Sequence, residues 1–91
     1  MPRKLREEES YRVAVEALRL DAKRLDDQLR ALTWAIATDA ELCHPVPGTS
    51  LRAIKTEALY GSTALIVYFE IIDEDTCALH YIARIESDEE E

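Results

Sequence analysis

The hydrophobic positions between Tyr11 and Ile36 repeat with the spacing of an α-helix. Apolar side chains recur there at alternating steps of four and three residues, which returns them to one helical face. The set comprises Tyr11, Val15, Leu18, Ala22, Leu25, Leu29, Leu32 and Ile36. Neither Gly nor Pro occurs between Arg3 and His44, so nothing in the sequence forces an early end. The first half of the chain is therefore predicted to be helical.

This pattern is compatible with two structures. One continuous helix of about 30 residues would be about 45 Å long, and its single apolar seam would imply a homodimer through residues 11–36. The alternative is a helical hairpin broken near residues 20–22, with Asp21 capping the second helix. We favour the hairpin, because covering a core requires more apolar surface than one seam provides.

The periodicity changes after Cys43. Two prolines and Gly48 within residues 43–49 end the helical region. Alternating apolar residues then predict strands over residues 51–59, 64–72 and 76–86, with turns at 60–62 and 73–75. The sequence therefore predicts an α+β fold, in which the helical hairpin or long helix packs on a three-stranded antiparallel sheet.

The short loop at residues 73–75 predicts the register of the last two strands, with Ile72 opposite Thr76. One face, which includes the pair Phe69 and Leu79, is expected to be covered by the helices. The other face mixes polar and apolar side chains and is where a partner would bind. Its predicted partner-binding residues are Ile66, Tyr68, Glu70, His80, Ile82 and Arg84, with Tyr68 opposite His80.

Length and charge restrict the function further. The chain has 91 residues, a formal charge of −8 and two cysteines. We expect one domain over residues 1–91, with a flexible basic arm at 1–6 and an acidic tail at 87–91. The negative charge disfavours direct nucleic-acid binding, which depends on Lys and Arg. Without a disulfide framework, a signal peptide or a membrane-spanning run, the protein is expected to be soluble and cytoplasmic.

Four residues are of the types that bind zinc: Cys43, His44, Cys77 and His80. Positions three apart on a strand point to opposite faces, so Cys77 and His80 should not share a metal ion. We therefore predict no metal site and no cofactor. Cys77 is expected to be a small buried hydrophobe.

A second group of residues suggests acid–base chemistry. Tyr68, His80 and Arg84 fall on the predicted mixed face, and Arg52 could join them from the first strand. Such a set could cleave a phosphodiester, with the arginines stabilising the developing charge. The simpler interpretation, which we favour, is a cross-strand pair of Tyr68 and His80 among surface charges.

Two stretches resemble a known family. The run V-P-G-T-x-L-R at residues 46–52 and the run L-I-V-Y-F-E-I-I-D at residues 65–73 follow a helical first half. This order is similar to the RelE/ParE superfamily of small bacterial toxin–antitoxin toxins, over about residues 10–86. The resemblance implies a helical hairpin on a small antiparallel sheet. It also implies either ribosome-dependent mRNA cleavage, as in the RelE branch, or poisoning of gyrase, as in the ParE branch.

The resemblance places Arg52 and Lys55 at basic positions of the first strand and Arg84 at that of the last. The second strand, however, has no arginine where such toxins carry one, and the chain ends in SDEEE. We therefore expect a toxin–antitoxin-type protein that binds a protein partner, either an antitoxin or a target, without ribonuclease activity. The alternatives are an acidic inhibitor that occupies a basic site on a nucleic-acid-binding protein, and a metal-independent mRNA endonuclease.

Overall fold

The computed structural model describes residues 2–19, 25–56 and 64–85. Within these ranges, two helices pack on one face of a five-stranded sheet whose strand order is β1-β5-β4-β3-β2. The elements are β1 (Lys4–Glu7), α1 (Glu9–Arg19), α2 (Leu25–Asp39), a 3-10 turn (Ala40–Leu42), β2 (His44–Pro45), β3 (Leu51–Lys55), β4 (Leu65–Ile71) and β5 (Thr76–Arg84). The predicted α+β class is confirmed.

The sheet differs from the predicted three-stranded antiparallel one. It is mixed, because β1 runs parallel to β5, with Lys4 opposite Thr76. The other neighbouring strands within the described residues are antiparallel. Strand β1 lies in the segment that we expected to be a flexible basic arm. It is held there because Leu5 packs against the core and the Lys4 N–H donates to the Asp75 carbonyl at 2.7 Å.

The helical region forms two helices, as the hairpin alternative predicts. Tyr11 and Thr33 line the same groove, whereas one continuous helix would hold them about 33 Å apart. Arg19 at the end of α1 reaches Asp26 at the start of α2, with Nη1 and Oδ1 3.2 Å apart. The predicted homodimer through residues 11–36 required one continuous helix, and the structure has two separate helices there. The predicted cap at Asp21 lies outside the described residues.

The core lies between the two helices and the central strands. Ile36 of α2 and the strand residues Leu65, Phe69 and Leu79 are fully buried. Cys77 is also fully buried, which confirms its prediction as a small hydrophobe. Removal of this apolar surface from water is the main source of the stability of the fold.

The predicted register of β4 and β5 is correct only near their connecting loop. Glu70 pairs with Ala78 and Phe69 with Leu79, as expected. A β-bulge then shifts the pairing by one residue, so that Tyr68 lies opposite Tyr81 and not opposite His80. His80 is the additional residue of the bulge. The predicted turn at 60–62, the outer ends of the predicted first and third strands, and the acidic tail at 87–91 lie outside the described residues.

Candidate protein-binding face

One side of the sheet carries no helix within the described residues. Along β4, Leu65, Val67 and Phe69 point into the core and are fully buried. The intervening side chains of Ile66 and Tyr68 therefore lie on the opposite side. We call this side the open face; it is formed centrally by Ile66, Tyr68, Glu70, His80 and Tyr81.

The bulge brings two side chains of β5 onto the open face beside Tyr68. Tyr81 is the cross-strand neighbour of Tyr68, and His80 Nε2 lies 3.2 Å from Glu70 Oε1. A bulge places two residues of one strand against one residue of its partner, which re-aims the side chains. The result is a cluster of three rings and a carboxylate on one surface.

The start of α1 holds the bulged part of β5 in place. The Ser10 hydroxyl donates to the His80 carbonyl, and the Glu8 N–H donates to the neighbouring Leu79 carbonyl at 3.0 Å. A bulge leaves a backbone group without its usual ladder partner, and a side-chain hydrogen bond can satisfy such a group. Ser10 supplies that bond, which links the position of His80 to the β1–α1 junction.

The open face exposes apolar surface that no described element covers. Tyr81 is 49% exposed, and Ile72 at the end of the face is 42% exposed. Aromatic side chains of this kind are enriched where proteins bind one another. Tyr81 is absent from the predicted partner-binding residues, because the register predicted from the loop at residues 73–75 pairs it with Val67 on the helix-covered face. The only available signal was a tyrosine hydroxyl at a position predicted to be core.

The structure does not bring the four predicted catalytic residues together. Tyr68 and His80 lie on the open face, but Arg52 is opposite Phe69, on the helix-covered side. Its Nη1 donates to the Cys43 carbonyl at 2.8 Å and to the Glu41 carbonyl at 3.3 Å. Arg52 therefore fixes the α2–β2 connection to β3.

Two members of the predicted partner-binding set also lie elsewhere. Ile82 is 1% exposed and belongs to the core, because the bulge turns it inward opposite Val67. Arg84 is exposed and lies opposite Leu65, whose side chain is buried beneath the helices. Ile66, Tyr68, Glu70 and His80 remain on the open face, as predicted.

The central cluster can accept and donate protons, but neither of the two arginines predicted for catalysis lies beside it. His80 with Glu70 is a pairing that can orient an imidazole, and Tyr68 offers a hydroxyl. Phosphodiester cleavage also needs a group that stabilises developing negative charge. The register places Arg52 and Arg84 on the other side of the sheet, where neither faces the cluster.

Cys77 and His80, which we expected not to share a metal ion, lie on opposite sides of the sheet. Cys77 lies in the core, whereas His80 lies on the open face with Glu70. No group of three His, Cys, Asp or Glu side chains within the described ranges could hold a metal ion.

Burial raises the pKa of the Cys77 thiol. Burial also raises the pKa of Cys43, and nearby Arg52 partly offsets this effect.

A groove of about 1050 Å³ borders the open face at the edge of β3. Its walls are mostly apolar and come from the α2–β2 connection, from β3 and from β4. Its lining includes Leu42, Cys43, Lys55, Ile66, Tyr68 and Ile85. The groove extends along β3 beyond the N-terminal end of β2, where the 3-10 turn Ala40–Leu42 comes before His44.

No helix within the described residues is long and apolar enough to cross a membrane. No protein-family model matches this chain, and no curated protein matches it at a significant level.

Proposed function

We propose that this chain is a RelE/ParE-like protein of the toxin–antitoxin type that acts by binding a protein partner across its open face. The observation that carries the proposal is the exposed, ring-rich surface around the β5 bulge. Tyr81 is half exposed there, beside Tyr68 and His80. Leaving such a surface in water is unfavourable, and binding a partner would remove it from solvent.

The arrangement of helices and strands supports the family assignment at the level of architecture. Two helices cover one side of the sheet and leave the other side free for a partner. The helical hairpin on a sheet agrees with the organisation that the sequence resemblance implies, whereas the five-stranded mixed sheet departs from the small antiparallel sheet that it implies. The family assignment itself rests on the two sequence runs at residues 46–52 and 65–73.

A metal-independent ribonuclease is the second candidate, because one specific contact favours it. His80 Nε2 lies 3.2 Å from Glu70 Oε1, so the imidazole is held beside Tyr68. Binding without cleavage remains the better supported function, since Arg52 bonds to backbone carbonyls on the opposite face. Loss of one charge-stabilising group typically costs about 3 kcal/mol of catalysis.

The test is inducible expression of the full chain in a bacterial host, with growth and mRNA integrity followed together. The diagnostic variant is Tyr81→Ser, which removes an exposed ring from the open face. Its matched control is Val13→Ser on α1, which removes an apolar side chain that is 62% exposed elsewhere. We expect the natural chain to arrest growth with intact mRNA, Tyr81→Ser to relieve the arrest, and Val13→Ser to leave it unchanged.

The other outcomes separate the two candidates. Cleaved mRNA that becomes intact in His80→Ala would establish the ribonuclease. Normal growth with soluble, folded protein would reject the toxin-like function. Equal relief by Tyr81→Ser and Val13→Ser would show that the open face has no special role.

A further inference from the structure

The sheet has an incomplete edge inside the groove beside β3. Strand β2 pairs with β3 only at His44 opposite Ala53 and Pro45 opposite Arg52. If β2 began earlier in the chain and kept this register, Leu42 would lie opposite Lys55. Leu42 instead belongs to the 3-10 turn and is 80% exposed. The ladder therefore stops while β3 continues to Lys55.

The backbone of Lys55 points into this gap. The Thr56 N–H donates to the Leu65 carbonyl at 2.9 Å, so Thr56 directs its backbone groups toward β4. Direction alternates along an antiparallel strand, and the N–H and carbonyl of Lys55 therefore point away from β4. Leu51, which has the same orientation, uses its carbonyl to accept from the Val46 N–H at 2.9 Å. Lys55 has no corresponding partner strand among the described residues.

The surroundings of this gap define what could fill it. The groove walls are apolar, with Leu42 on one side and Ile66 and Tyr68 on the other. The Lys55 side chain is exposed and makes no ion pair within the described part of the chain. An N–H and a carbonyl that pair with no other described residue, between apolar walls, match the backbone of an extended peptide, and the lysine matches a carboxylate on it.

Strand β2 itself is closed to further pairing. Pro45 has no N–H to donate, and proline on an edge strand discourages the addition of another strand. Strand addition is therefore directed to the part of β3 that β2 leaves uncovered. This contrast between a closed and an open stretch of the same edge locates the site at Lys55.

We propose that an extended segment of a protein partner adds to the sheet beside β3 at Lys55, with apolar side chains in the groove and an acidic residue facing the lysine. This inference rests on the proposed protein-binding function and names the mode of binding. Main-chain hydrogen bonds give such a complex affinity, and the alternate side chains in the groove give it specificity.

The experiment uses the full chain and a phage-displayed library of random octapeptides as the probe. Enriched peptides are synthesised and their affinities are measured by fluorescence anisotropy against a set of variants. Lys55→Ala removes the charge only, Lys55→Pro also removes the outward N–H, and Leu42→Ser alters an exposed groove wall. Val13→Ser is the control. Circular dichroism confirms that each variant is folded.

We expect enriched peptides to alternate apolar residues with at least one Asp or Glu. Lys55→Ala should weaken binding about threefold, as for an exposed ion pair. Lys55→Pro should weaken it about tenfold more, through the lost hydrogen bond. Leu42→Ser should weaken it, and Val13→Ser should not. Binding should also slow hydrogen exchange of the Lys55 amide.

The proposal would be overturned by the absence of any enriched peptide, by equal affinity for Lys55→Ala and Lys55→Pro with no change in Leu42→Ser, or by protection of other amides only. Binding that is lost in Tyr81→Ser but retained in Lys55→Pro and Leu42→Ser would place the peptide on the open face. That result would reject strand addition at β3 while supporting the proposed function. If Lys55→Pro does not fold, Leu42→Ser and the exchange of the Lys55 amide decide the question.

Discussion

Replacing Arg52 by alanine should destabilise the fold, because this side chain joins two separate parts of the chain. Its guanidinium donates to the carbonyls of Cys43 and Glu41, in the connection between α2 and β2. The bond to Cys43 is 2.8 Å long and partly buried, whereas the bond to Glu41 is 3.3 Å long and exposed. The short bond should therefore account for most of the effect.

The expected loss in the free energy of unfolding is about 2 kcal/mol. A hydrogen bond involving a charged group contributes about 1.5–3 kcal/mol, and the solvent-exposed bond adds little. For a domain of this size, such a loss lowers the Tm by roughly 8–16 °C. Lys55→Ala on the same strand is the matched control and should change stability by less than about 0.5 kcal/mol, because Lys55 is exposed.

Urea unfolding followed by circular dichroism measures this effect directly. The midpoint should fall without a change in m-value, because the surface exposed on unfolding is nearly the same. Arg52→Lys should recover only part of the loss, since an ammonium group cannot reproduce the planar guanidinium. The structural role assigned to Arg52 would be refuted if Arg52→Ala and Lys55→Ala were equally stable.

Two further predictions concern buried titratable groups. Burial, followed by the nearby Glu7 carboxylate, raises the pKa of Tyr11 to about 12. The neutral phenol therefore contributes roughly 3 kcal/mol to the free energy of unfolding. This contribution is complete below about pH 10, the pKa in the unfolded chain, and is lost as the pH rises through about 12, the pKa in the folded protein. Urea unfolding measured at several pH values between about 10 and 12 should show this loss of stability, and in Tyr11→Phe the part of the loss that depends on the phenol should disappear. The same dependence of the free energy of unfolding on pH in both proteins would contradict the prediction. Burial raises the pKa of Cys77, which is fully enclosed, so a thiol reagent should modify it at least about a hundredfold more slowly than half-buried Cys43. Peptide mapping by mass spectrometry measures both rates, and equal labelling in the native protein would disprove the enclosed position.

The sequence allowed the helical region, three of the strands and much of the core to be predicted, because their periodicities are regular. The helical spacing from Tyr11 to Ile36 matches the buried stripe of both helices, including Leu25 and Leu32. Alternation along β4 likewise identifies Val67 and Phe69 as core. These assignments depend only on which side of an element each residue faces.

The candidate site was harder to predict, because it depends on one inserted residue. The bulge at His80 reverses the facing of every later residue of β5, which moves Tyr81 outward and Ile82 into the core. No local composition rule indicates where a strand will bulge. The support for it comes from Ser10, which is distant in sequence and bonds to the His80 carbonyl.

The N-terminal strand was missed for a related reason. Residues Lys4 to Glu7 contain one apolar side chain, too few to show a strand periodicity. They become a strand because β5 offers an unpaired edge and the core accepts Leu5. Such pairing is a property of the assembled sheet and is not visible in the short segment itself.

The parallel pairing of β1 with β5 determines when the sheet can be completed during translation. β1 is translated before every other element of the described chain, yet its sheet partner is the last strand, with Lys4 opposite Thr76. Contacts between segments so distant in sequence form late in folding, because the long loop between them must first be ordered. The nascent chain should therefore keep its first strand unpaired until β5 has left the ribosome. During that interval, the uncovered edge of the growing sheet is available to a chaperone or to another nascent chain.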